Sequence, residues 1–306
     1  MTRPAARTTV ALAAVALGAA VALGGCAGGG SGDGPGGAAP SATPLGPADL
    51  PGVRVEVSQP RTDIALGRIA IQVQNGGDAP LELATAALRG DPLDAPLTWT
   101  GRPTSTIAPG RALDLRVELG GWDCAADGDA PLEVAVALAD GRAAVLPASD
   151  PTRVIPGLHE LGCLEQAVAA IVALRSSAVE SDQAAGHPAT LVLAAEPTGA
   201  AGSVRIESVR STTLVAPFDG VSGVGVLALG VELGADGPSE MRIPLVPNRC
   251  DPHALAEDKV GTRIPLDVTV TAADGTETSG RIVLSADDAM RTALHGFYAS
   301  FCALGP

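Results

Sequence analysis

The sequence predicts an all-β protein, two β-sandwiches in tandem with a short C-terminal helix. Three observations carry this. Beyond residue 50 apolar residues alternate with polar ones, as in Val53, Val55 and Val57 against Arg54, Glu56 and Ser58, and period two with polar partners marks strands with one wet face. Gly, Pro and Asp turns interrupt these runs at short intervals. The order of runs, turns and cysteines then occurs twice, residues 68–88 matching 189–209 and residues 124–141 matching 250–275, so the chain reads as two copies of one plan.

In the first copy, Ile69, Ile71 and Val73 alternate with Ala70, Gln72 and Gln74, Asn75 to Asp78 form a turn, and residues 81–88 make a third strand. Leu113, Leu115, Val117 and Leu119 alternate with Asp114, Arg116 and Glu118; Leu132, Val134, Val136 and Leu138 follow, and Asp140-Gly141 turns the chain into residues 143–146 as a hairpin. In the second copy, strand-like stretches fall at residues 168–174, 191–195, 204–209 and 227–233. Ile264, Leu266, Val268 and Val270 then alternate with Pro265, Asp267, Thr269 and Thr271, and Asp274-Gly275 closes the matching hairpin into residues 282–284. Short strands with regular turns give a sandwich of Ig-like plan in each half, domain 1 over residues 51–165 and domain 2 over residues 166–306. Trp99 and Trp122 are the large core fillers of the first half.

Two helices complete the reading. Leu161, Leu164, Val168 and Ile171 fit a helical period; with the repeat boundary near Cys163, a short helix to about residue 167 precedes the first strand of domain 2. At the C-terminus Ser285 serves as cap, Asp287 and Asp288 stand in the first turn, and Met290, Leu294, Phe297, Tyr298 and Phe301 share one face that packs on a sheet.

The chain opens with Arg3 and Arg7 and then an uncharged Ala/Val/Leu run over residues 10–23, the proportions of a secretory signal peptide and too short for a stable spanning helix. At its end Leu23-Gly24-Gly25-Cys26 resembles a bacterial lipobox, in which the cysteine thiol receives a diacylglycerol before cleavage. The resemblance implies a signal peptide over residues 1–25 and lipid on Cys26, two acyl chains being enough for stable anchoring. Residues 26–50 are a Gly/Ala/Pro-rich tether with little to bury. The expected location is the extracellular face of the cytoplasmic membrane, the lipid on Cys26 making the membrane contact.

Removing residues 1–25 takes away two arginines and no acid, so 20 basic groups become 18 against 34 acidic ones and the net charge goes from −14 to −16. Such a chain is a poor partner for nucleic acid. Its apolar fraction of 46% is carried by Ala, Val and Leu, with one lysine, Lys259, and few aromatic residues, a vocabulary similar to that of high-GC actinobacterial genomes.

With Cys26 set aside, Cys124, Cys163, Cys250 and Cys302 divide two to each half. Four cysteines allow three pairings. In each half one cysteine precedes the Asp-Gly hairpin and the other ends the domain, which selects Cys124 with Cys163 and Cys250 with Cys302, free thiols or a metal site being the alternatives.

The least generic stretch runs from Asn248 to Lys259. Asp251 followed by Pro252 starts a helix, the carboxylate as cap and the proline in the first position. His253 and Glu257 then stand four apart on one face, where they pair or jointly hold a cation, although two ligands make no metal site. Arg249-Cys250-Asp251-Pro252-His253-Ala254, with Glu257 and Lys259 behind it, resembles a segment of a family of actinobacterial secreted proteins and lipoproteins of unknown function. The resemblance covers mainly residues 190–302 and implies no activity; it makes Arg249, Asp251, His253, Glu257 and Lys259 the candidate contacts for a partner or ligand. A capped structural helix beside a disulfide is the competing reading.

No zinc-protease, hydrolase-elbow, phosphate-loop or dinucleotide motif occurs. The expectation is therefore a non-enzymatic binding or scaffolding module without catalytic residue, metal or cofactor, meeting an unidentified protein or cell-envelope partner. The alternative is the substrate-binding lipoprotein of a transporter.

Overall fold

The computed structural model describes residues 44–45, 49–235, 237–258 and 262–304, with backbone only at 44, 45, 102, 103 and 257. All of them belong to one structural unit, Pro40–Pro306. Cys26, the signal peptide, nearly all of the tether and Lys259 lie outside the described residues.

The first half comprises β1 (Pro44–Leu45), β2 (Val53–Ser58), the short α1 (Arg61–Ile64), β3 (Arg68–Asn75), β4 (Leu81–Arg89), β5 (Leu97–Ile107), β6 (Ala112–Glu118), β7 (Leu132–Leu138) and β8 (Ala143–Ser149). Strands β2, β3 and β6 pair antiparallel, as do β5, β4, β7 and β8. A short parallel pairing of β2 with β8, Val55 opposite Ala148 and Glu56 opposite Ser149, links the two groups. Strand β1 also runs parallel to β8, Pro44 opposite Ala143. The alternation in the sequence does what it predicts: Val55, Val57, Ile69, Ile71 and Val73 are buried in a core with Leu83, Leu115 and Val134.

The second half repeats this order. It comprises β9 (Val172–Glu180), β10 (Ala189–Pro197), β11 (Gly202–Arg210), β12 (Val215–Pro217), β13 (Val226–Leu233), β14 (Ser239–Pro247), β15 (Arg263–Ala272) and β16 (Glu277–Ser285). The sheets are β12-β14-β10-β9 and β13-β11-β15-β16. Strands β9, β10, β11, β13, β14, β15 and β16 thus pair as β2, β3, β4, β5, β6, β7 and β8 do, with β12 an addition and with no pairing of β9 and β16 to match that of β2 and β8. The first half has layers of three and four strands and the second, with β12 added, layers of four and four, an Ig-like sandwich plan in each. The two Asp-Gly turns also agree: Gly141 and Gly275 have φ of 87° and 84°, while Asp140 and Asp274 accept hydrogen bonds from the amides of Arg142 and Thr276 at 3.0 and 2.9 Å.

A helix follows the last strand of each half, and here the expectations need correction. Helix α2 (Val154–Ile171) is a full 18-residue element, not a short helix to about residue 167; residues 168–171 of the expected strand 168–174 belong to it, and it passes into β9 without a loop. Residues 165 and 166 both lie within it, so one helix of about 27 Å carries the chain across the expected domain boundary. Its first turns bury Ile155 in the first core, and its last turns bury Leu164, Val168 and Ile171 in the second. A run of apolar residues does not by itself distinguish strand from helix; here the helix wins because its stripe faces a core at both ends. Asp150 holds its start, its carboxylate accepting from the amides of Val154 and Ile155 at 2.8 and 2.7 Å.

Helix α4 (Asp288–Phe301) is capped by Asp287, whose carboxylate accepts from the Met290 amide at 2.7 Å. Ser285 instead ends β16, two residues too early for that bond. Met290, Leu294, Phe297 and Tyr298 are buried as the aromatic stripe predicts.

On the outer face of the second half, Asp267 accepts from Ser208 at 2.7 Å, from Arg210 at 2.7 Å and from Arg281 at 2.9 Å. Burial pushes its carboxyl up, but the bonds from Ser208, Arg281 and Arg210 outweigh this and hold it below the usual carboxylate range. A depressed folded pKa contributes stability above the unfolded value, near 3.9, and that contribution is lost as pH falls through the folded value. Asp267→Asn is therefore expected to be less stable than the parent at neutral pH, the gap in denaturation midpoint narrowing below about pH 4. A gap independent of pH would refute this role for Asp267.

Candidate functional site

Strand β14 leads into the stretch that the sequence singles out. Asn248 is held by the second half of the fold, its amide N–H donating to Leu214 O at 3.0 Å and its side chain to Thr212 O at 3.1 Å. Cys250 is bonded to Cys302, the residue after α4, with Cα atoms 5.3 Å apart. Asp251 takes extended backbone and its carboxylate accepts from the His253 amide at 2.9 Å, while Pro252 opens α3 (Pro252–Glu257). The reading of an Asp-Pro helix start holds at the level of the individual bond.

Beneath this loop stands Tyr298, fully buried. Its hydroxyl accepts from the Asp251 amide at 2.9 Å and faces the carbonyl oxygens of Arg249 and Asp251, the latter at 2.8 Å. A hydroxyl has one proton to give, so the two carbonyls share it. Three backbone groups around Cys250 thus converge on one side chain, and buried polar groups without partners are costly. Ala254, also fully buried, pins α3 to the core.

At the other end of α3, Asp258 accepts from Thr262 Oγ1 at 3.0 Å and lies 3.6 Å from His295 Nε2, beyond a good hydrogen bond. Thr262 donates to the carboxylate and not to the imidazole, so the three do not form a nucleophile with its base. Among the described residues no group of three or more His, Cys, Asp or Glu side chains could hold a metal ion.

The fold therefore brings Arg249, Asp251 and His253 together on one tied segment, with Arg249 and His253 exposed and the Asp251 carboxylate used as a cap. Glu257 ends α3, but its side chain lies outside the described residues, and with it the proposed pair with His253; Lys259 lies outside them altogether.

Sequence reading took Tyr298 for core packing and missed its polar role. The first half carries the signal that reveals it. There Cys124 is bonded to Cys163 on α2, with Cα atoms 5.5 Å apart. His159, one helical turn before Cys163, places Nε2 2.9 Å from Asp123 O, the carbonyl just before Cys124. Tyr298, one turn before Cys302, faces Arg249 O, the carbonyl just before Cys250. In each copy the polar tip one turn ahead of the helix cysteine fastens the residue ahead of the loop cysteine.

No family model matches the chain, and no curated protein matches it. Among solved structures, a red sea bream transglutaminase is similar at 10% identity and a TM-score of 0.22, over 77% of this chain and 32% of that one. The CupB2 chaperone of Pseudomonas aeruginosa is similar at 12% identity and a TM-score of 0.18, over 76% of this chain and 97% of that one. The FlaF and FlaG archaellum stator complex of Sulfolobus acidocaldarius is similar at 9% identity and a TM-score of 0.22, over 32% of this chain and 89% of that one. The chain spans about a third of the transglutaminase's length, and likenesses this slight carry no argument about function.

The two disulfides fit folding in an oxidising, extracytoplasmic compartment. No helix among the described residues is long and apolar enough to cross a membrane.

Proposed function

We propose that this protein is a lipid-anchored extracytoplasmic binding or scaffolding module without enzymatic activity, related to the actinobacterial lipoproteins that its Arg249–Lys259 segment resembles. The observation that carries the reading is the construction of that segment. A disulfide, a buried tyrosine and an aspartate cap fix its backbone, while Arg249 and His253 stay at the surface. Rigid display of polar side chains suits recognition, because little ordering remains to be done on binding. The Asp251 carboxylate is already engaged by the helix it caps, which leaves it poorly placed as an acid or base. Anchoring rests on the lipobox-like Leu23-Gly24-Gly25-Cys26 and two-chain lipidation.

Two measurements test this. Cys26→Ala is expected to move the protein from the membrane fraction to the medium or to leave it as unprocessed precursor; unchanged membrane retention with normal processing would remove the anchor. Crosslinking and pull-down from the native cell surface is expected to recover a partner whose yield falls when Arg249 and His253 are both replaced by Ala. Undiminished recovery would remove the segment from the contact.

A further inference from the structure

We propose that the Cys124–Cys163 disulfide is a thiol-exchange site, opened by an external dithiol that attacks Cys124 and expels Cys163 as a thiolate beside His159. The two copies supply the comparison. Each bond joins an exposed loop cysteine to a half-buried helix cysteine, Cys124 to Cys163 and Cys250 to Cys302. Exposure does not separate the two bonds; the groups around the sulfurs do.

In the second copy the hydroxyl of Tyr298 is taken up by backbone groups of Arg249 and Asp251. In the first copy His159 Nε2 lies 2.9 Å from Asp123 O and 3.7 Å from Cys163 Sγ. A carbonyl oxygen only accepts, so Nε2 carries a proton, and that N–H stands within reach of the sulfur. Cys124 Sγ has the opposite surroundings, with Trp122 O at 3.6 Å and Gln166 Oε1 at 3.4 Å. The amide of Gln166 is turned this way because its Nε2 donates to Trp122 O at 3.4 Å. Donors favour a charged sulfur and acceptors disfavour it, so negative charge belongs on Cys163 and not on Cys124.

Thiol–disulfide exchange joins the incoming thiolate to one sulfur and expels the other, faster when the leaving sulfur carries charge well. Exposure and electrostatics agree on the direction here. The incoming sulfur bonds to Cys124, the Cys124–Cys163 bond breaks, and its electron pair stays on Cys163, where the His159 N–H meets it. The second thiol of the dithiol then displaces Cys124 from the mixed disulfide. The dithiol is thereby oxidised to a disulfide, and its two protons pass to the reduced cysteines. The loop stays in place on both sides of Cys124, because the Asp123 amide donates to Pro92 O at 3.1 Å and Arg153 pairs with Asp129 at 2.8 Å. Reoxidation therefore recloses the same bond. One dithiol is consumed per opening, so the site answers to redox conditions and turns over no substrate. This inference is independent of what the Arg249–Lys259 segment contacts.

The test treats the full chain in detergent with dithiothreitol, quenches with iodoacetamide at intervals and follows each bond by peptide mass spectrometry. Cys124–Cys163 is expected to open about tenfold faster than Cys250–Cys302. With glutathione in place of dithiothreitol, the mixed disulfide is expected on Cys124 and the alkyl group on Cys163. Both results are read on the parent chain and need no variant. His159→Leu, its fold verified by far-UV circular dichroism, is expected to slow the opening of the first bond and leave that of the second unchanged. A merely structural His159 would give the reverse, since a loosened loop opens faster. Equal rates for the two bonds, a slower first bond, glutathione on Cys163, or a His159→Leu variant that opens as fast as the parent or faster would each overturn the proposal.

Discussion

Replacing Cys250 and Cys302 together by Ser is expected to lower stability by about 4 kcal/mol. The bond closes a loop with a sequence separation of 52 residues, and the entropy that such a link removes from the unfolded chain is worth about 4 kcal/mol. The consequence is also local. Cys250 sits between the two residues whose backbone groups meet the Tyr298 hydroxyl, so loss of the bond loosens the loop that presents Arg249 and His253. Denaturant titration checks the first claim, and amide exchange over residues 248–258 the second. A midpoint shift equivalent to less than about 1 kcal/mol would show that the tyrosine and the Asp251 cap hold the loop by themselves. Because Cys250 and Cys124 are exposed, reductant opens both bonds and is expected to lower stability by at least as much as the double substitution.

Gly162→Val is the second large effect. Gly162 lies on α2 under the indole of Trp122, and a Cβ at that position would stand 2.1 Å from Trp122 Cδ1. Trp122 is 9% exposed and meets His159 edge to face, with centroids 5.9 Å apart. Either the indole leaves or the helix shifts, and losing a buried tryptophan from a core costs about 3–5 kcal/mol. A red shift of the tryptophan emission should accompany the loss of stability. Unchanged emission with undiminished stability would mean that α2 sits farther from the indole than described. When the cysteines of the two halves are aligned, Phe301 falls at the place of Gly162 and Asn248 at the place of Trp122, large and small exchanged between loop and helix.

What the sequence discloses and what it hides divide along one line. Bonds made between near neighbours are legible: the alternation of Val53 to Val57, the Asp-Gly turns at 140 and 274, and the cap at Asp251 each follow from a few adjacent residues. The pairing of the cysteines is legible because the repeat duplicates it. Helix α2 is misjudged in length because what stabilises its last turns is a core built from residues 172–302. Tyr298 is misjudged for a similar reason, its partners lying 47 and 49 residues away. Ser285 and Asp287 are both acceptable caps by residue type, and the end of β16 decides between them. For the candidate site, Asp251, His253 and Arg249 are identifiable in the sequence, whereas the tyrosine that shapes their backbone becomes visible only when it is set beside His159.

The parallel pairing of β1 and β2 with β8 has a mechanical consequence. The chain enters at β1 beside the start of β8 and leaves for the second half from the far end of β8. Tension applied between residue 44 and α2 therefore draws parallel neighbours lengthwise past one another, so that the hydrogen bonds at Val55–Ala148 and Glu56–Ser149 bear load together instead of opening in turn. The first sandwich is arranged to resist a pull along the line from residue 44 to its second half.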